Sequence, residues 1–151
     1  IAALACTCAA AGWANDNGSA YQKGDKIGSA GISIWYLGAY ASFDYGFHEA
    51  ISGGGGIGFL WWWPYGGTVP IFGRAAFHPF NLDALADKIS IRNKLDPYVG
   101  LYVGPRIPWH GTFIPIREYI GVRYYFSDKL AVFAEEFGAM GYINAGLSLK
   151  F

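Results

Sequence analysis

Charge is scarce in this chain. Asp, Glu, Lys and Arg make up 15% of its 151 residues, against about 25% in soluble domains. Eleven basic residues balance eleven acidic ones, and a net charge of zero gives no argument for a nucleic-acid surface. Cysteine occurs only twice. Cys6 and Cys8 stand too close together to staple a core, so no disulfide framework follows. The sequence also lacks a membrane helix. Residues 51–73, "ISGGGGIGFLWWWPYGGTVPIFG", run uncharged for 23 residues, yet hold eight glycines and two prolines. That density of breakers reads as two strands turning at "PYGG". Motifs for covalent or phosphate chemistry are missing too: no G-x-S-x-G, no P-loop, no paired cysteines. His48, His78 and His110 are scattered, with no partner at metal-ligand spacing. No catalytic residue, metal or cofactor is therefore expected.

What is present is aromatic and glycine-rich. Phe, Trp and Tyr supply 19% of the residues, and glycine occurs 22 times. Rings and glycines suit strands with tight turns. Period-two segments recur at 26–35, 39–47, 51–62, 69–78, 97–107, 115–126, 130–138 and 142–151. Only the connection 79–96 looks helical, with Asn81 as a cap and Leu82, Leu85 and Ile89 on one face. The "GGGG" at 53–56 has no helix after it, so it reads as close strand packing or barrel curvature.

The two faces of these segments decide the environment. In 97–107, Val99, Leu101, Val103 and Ile107 share one face, while Tyr98, Gly100, Tyr102 and Arg106 share the other. Along 115–126, Ile116, Ile120, Val122 and Phe126 oppose Arg117, Tyr119, Arg123 and Tyr125. Glu118 interrupts the apolar face, which predicts a bulge or an end above the membrane. The polar face is poor in lysine and glutamate, an unconvincing water-facing surface but a good narrow lumen. The apolar face is continuous and suits lipid. In lipid a sheet must close, and eight strands enclose a space that side chains fill. The reading is an all-β, eight-stranded antiparallel up-and-down transmembrane β-barrel over 26–151, with a short helix in one periplasmic connection.

Charges inside such a lumen need partners. Asp44, Arg74, Arg123 and Glu135 are predicted to join as a polar plug, so an open water channel is not expected. Arg106, Arg117 and Lys150 lie on lumen faces as well. Trp35, Trp61, Trp63 and Trp109 fall near strand ends on one predicted side, which reads as an aromatic girdle at headgroup level. Residues 1–14, apolar and rich in small side chains, resemble the remnant of a secretory signal peptide, with Gly12 and Ala14 at a cut site. An ordered N-terminal helix and acylation at Cys6 are the alternatives. Residues 15–25 then form an N-terminal periplasmic segment.

The stretches "FDYGFHEAISGGGGIGF", "GRAAFHPF", "KLDPYVGLYVG" and "GVRYYFSDKLAVFAEEFG" with "YINAGLSLKF" resemble the small bacterial outer-membrane β-barrel family, nearest to its porin-like Bacteroidetes type. That resemblance implies an outer-membrane location, periplasmic termini and lipid as surroundings. It also implies contact with the barrel-assembly machinery through the C-terminal strand, with Phe151 as the assembly signal. It carries no catalytic site, and Glu136 stands where the family has an apolar residue. The functional expectation is a structural or surface-interaction barrel without catalysis. The alternatives are an outer-membrane lipid-modifying enzyme using His78 with Ser42 or Ser52 on the lipid side, and a narrow pore or small-ligand carrier.

Overall fold

The computed structural model describes residues 18–64, 66–82, 85, 88–108, 114–136, 141 and 143–151. The alternating segments are strands: β1 (Lys26–Ser33), β2 (Leu37–His48), β3 (Ile51–Trp62), β4 (Gly66–Phe77), β5 (Leu95–Val103), β6 (Arg106–Pro108), β7 (Ile116–Tyr125), β8 (Leu130–Glu136) and β9 (Ile143–Lys150). β5 and β6 pair along the same strand, β4, on either side of Gly104–Pro105. They are two segments of one stave, since Pro105 brings no N–H to the ladder. Nine strands thus make eight staves, all antiparallel, and β1 pairs with β9 to close the sheet.

Burial alternates with period two, and the polarity is inverted relative to a soluble barrel. Along β2, Tyr40, Ser42 and Asp44 are buried while Ala39, Ala41, Phe43 and Tyr45 are exposed. In β9, Asn144, Ser148 and Lys150 are buried and Ile143, Leu147 and Leu149 exposed. β2, β3 and β4 have 12 residues each, enough to cross a bilayer at a tilt. Glycine lets the large lumen side chains fit. A Cβ on Gly121 would stand 2.5 Å from the Tyr98 ring, and one on Gly56 would stand 2.7 Å from the Phe72 ring.

Three expectations are sharpened. Among the described residues the connection after β4 holds a 3-10 turn, Pro79–Asn81, and one α-helical residue, Leu85. Asn81 accepts a hydrogen bond from Ser19 Oγ at its Oδ1. Its amide donates to Tyr21 O at 2.7 Å and Glu49 O at 2.6 Å, tying the connection to its neighbours. Glu118 is not at a bulge, because the β5–β7 register is regular through Leu101–Glu118; the shift lies at Gly46/His48 instead. Both outward carboxylates, Glu118 and Glu136, stand near the end of the barrel away from Lys26 and Lys150.

Candidate functional site

The polar groups of the lumen form one connected network. Arg74, from β4, lies between two carboxylates. Its Nε donates to Asp44 Oδ1 at 2.7 Å, its Nη2 pairs with Asp44 Oδ2, and its Nη1 donates to Glu135 Oε1 at 2.8 Å. Arg123, from β7, donates to Asp44 Oδ2 at 2.9 Å and approaches Asp96 Oδ2 at 3.5 Å. Two phenols complete the shell of Glu135: Tyr98 at 2.8 Å and Tyr40 at 3.1 Å. The Arg123 guanidinium also lies 4.3 Å from the centre of the Tyr98 ring. The four residues expected in the lumen are thus brought together, though Arg123 reaches Asp44 rather than Glu135.

Asp96 extends the network. It faces the lumen two residues before Tyr98, and its Oδ1 lies 2.6 Å from His78 Nδ1. On the other side of the imidazole, Nε2 lies 2.9 Å from Ser52 Oγ. Ser52, His78 and Ser42 all face the lumen rather than lipid, against the expectation for a lipid-side nucleophile. Lys150 donates to Ala20 O at 2.5 Å and pairs with Asp25 at 2.9 Å. Arg117 is exposed and Arg106 half-buried.

Both ends of this layer are closed. Towards the end away from residues 26 and 150, Tyr40, Leu60, Phe72, Tyr102, Tyr119 and Phe133 pack together. At the other end the segment before β1 folds into the barrel. Tyr21 is 1% exposed. Its ring stacks on His78 with centroids 3.7 Å apart and 3° between planes, and its hydroxyl donates to Ile51 O at 2.7 Å. Gly46 makes room, since a Cβ there would stand 2.9 Å from that hydroxyl. Burial, and behind it the Asp96 carboxylate, hold the Tyr21 phenol well above the usual range, so it remains a donor.

Trp35, Trp61 and Trp63 are exposed at the same end of the barrel. Trp109 and His110 lie outside the described residues, as do Cys6, Cys8 and all of 1–17. Phe151 is exposed, its N–H bonded to Lys26 O at 2.9 Å and its ring facing Gly28. Among the described residues no group of His, Cys, Asp or Glu has the arrangement to hold a metal ion. No described helix is long and apolar enough to cross a membrane.

Two parts of this site escaped the sequence reading. Asp96 carried a signal, because it shares the face of Tyr98, but Pro97 reads as the start of a strand. Tyr21 carried none: nothing local marks an aromatic ring in a polar segment as the lining of a barrel end.

No family model matches the chain, and no curated protein matches it in sequence. Solved structures do resemble it. A de novo designed transmembrane β-barrel superimposes with a TM-score of 0.58 at 15% identity, over 87% of this chain and 98% of the designed one. The N-terminal β-barrel domain of OprF from Pseudomonas aeruginosa superimposes with a TM-score of 0.54 at 16% identity, over 86% of this chain and 98% of that domain. The closed eight-stave antiparallel barrel, apolar outside and polar within, has the fold of a transmembrane β-barrel.

Proposed function

We propose that this chain is an outer-membrane β-barrel of a Gram-negative envelope, with a structural or surface-interaction role and a lumen closed to ions. The observation that carries the reading is the guanidinium–carboxylate layer across the lumen, Asp44–Arg74–Glu135 with Arg123, sealed between an aromatic cluster and Tyr21. An ion crossing it would have to displace fully desolvated pairs, each of which is costly to break. The outward apolar face supports lipid as its surroundings, and the exposed Trp35, Trp61 and Trp63 support a headgroup-level belt. A place within the Bacteroidetes-type barrels, and assembly through the strand that carries Phe151, belong to the same proposal. Reconstitution in a planar bilayer tests closure. The expected trace is silent for the wild type, whereas steady unitary conductance would overturn the closed-lumen reading. The lipid-modifying alternative is favoured by one arrangement, Ser52–His78–Asp96.

A further inference from the structure

Ser52, His78 and Asp96 come from three segments: the start of β3, the residue after β4 and the second residue of β5. With Ser52 Oγ 2.9 Å from His78 Nε2 and His78 Nδ1 2.6 Å from Asp96 Oδ1, they stand in the order of a charge-relay triad. An imidazole whose Nδ1–H donates a hydrogen bond to a carboxylate keeps an accepting Nε2. That nitrogen faces the Ser52 hydroxyl. The backbone N–H of His78 is itself held by Ala50 O at 2.9 Å. A buried histidine needs two partners for structural reasons alone, so the triad by itself does not decide its role. Two further features of the same place do.

The first is the wall beside it. The β4–β5 ladder ends at Phe77–Val99. Beyond it Pro79 follows His78 and Pro97 follows Asp96, and neither proline has an N–H with which to continue the pairing. Outside this unpaired stretch lies an apolar groove of about 510 Å³, lined in part by Pro79, Pro97, Val99, Ile120 and Val122. The second feature is the cover. Tyr21 stacks flat on the His78 ring, and Ser52 is 2% exposed beneath that end of the barrel.

We infer that Ser52–His78–Asp96 is a nucleophilic relay for fatty-acyl esters, occluded by the Tyr21 segment at rest. The groove fixes the substrate class: a hydrocarbon chain lies along it, and its ester reaches the wall at Pro79 and Pro97. Once the Tyr21 segment moves aside, Ser52 Oγ attacks the ester carbonyl. The Oγ–C bond forms, the ester C–O bond breaks, and His78 Nε2 passes the hydroxyl proton to the departing alkoxide. Water then cleaves the acyl-serine by the same proton path, releasing the fatty acid and restoring Ser52. Asp96 acts through His78, as a positioning residue.

The test is independent of conductance, so a closed barrel stands or falls separately. The whole chain in detergent is treated with decyl and ethyl fluorophosphonates and mapped by peptide mass. The Oγ–P bond forms as fluoride leaves with the hydroxyl proton. The expected result is an adduct on Ser52 that forms at least tenfold faster in Tyr21→Ala than in the wild type. It should form faster with the decyl probe than with the ethyl probe, and be absent in Ser52→Ala. Asp96→Asn should slow labelling by about 100-fold or more, and Asp96→Glu should recover most of it, which a loss of packing alone would not allow. Tyr21→Phe keeps the ring and loses the bonds to His48 O and Ile51 O that hold the segment down, so it serves if Tyr21→Ala does not fold. An unlabelled Ser52 in folded wild type and folded Tyr21 variants overturns the relay. Equal rates in the wild type and the Tyr21 variants overturn the occlusion, and equal rates for the two probes overturn the acyl groove.

Discussion

Glu135 accepts hydrogen bonds from Arg74, Tyr98 and Tyr40 in a space closed to water. Its negative charge is the partner of the Arg74 guanidinium on the Nη1 side. Glu135→Gln keeps the shape and removes the charge. Breaking a buried pair in this way costs about 3–5 kcal/mol, so the unfolding midpoint in detergent should fall clearly. An unchanged midpoint would show that the pair contributes nothing to the barrel. Glu136, one residue on, faces outward, and Glu136→Gln should leave the midpoint near that of the wild type. The contrast isolates the side of the strand as the variable, because residue type and chain position are nearly the same.

At the scale of the strand, glycine and tyrosine act in pairs. The Tyr98 ring on β5 lies over Gly121 on β7, and the two are directly opposite in register. Gly121→Val would push branched methyl groups into that ring, for an overpacking cost of about 1–3 kcal/mol. It should also loosen Tyr98 from Glu135, which would appear as a changed tyrosine near-ultraviolet signal in the folded barrel. An unaltered spectrum and stability would contradict this packing. Much of this scale was legible in the sequence, because period-two alternation survives single substitutions. Arg74, Asp44, Arg123 and Glu135 could be assigned to the lumen from their apolar neighbours alone. The sequence did not show which guanidinium reaches which carboxylate, since that depends on the stagger between non-adjacent strands: β2, β4, β7 and β8 all meet at this layer. How the connection after β4 is held was not legible for a related reason: Asn81 ties it to Tyr21 and Glu49 through its amide donors, and those partners are remote in sequence. The role of Tyr21 depends wholly on tertiary packing.

For the whole molecule the decisive property is the inversion of polarity. A soluble barrel buries its apolar face; here Ile32, Leu37, Phe43, Ile57, Val132 and Leu147 all point outward, while the paired charges lie inside. Closure through β1 and β9 joins the last stave to the first, as a surrounding of hydrocarbon requires. Glu118 and Glu136, the outward carboxylates of β7 and β8, sit near one end, where headgroups and water can solvate them. The same inversion explains the low charge content, since a lumen this narrow holds only the charges it can pair. Nitroxide labels placed singly along β9, with Cys6 and Cys8 replaced by serine, test it most directly in reconstituted bilayers. The expected pattern is alternation: high collision with oxygen dissolved in the bilayer at Ile143, Leu147 and Leu149, and low collision at Asn144 and Ser148. Uniform collision along the strand, or alternation of the opposite phase, would contradict a barrel that faces lipid with its apolar side.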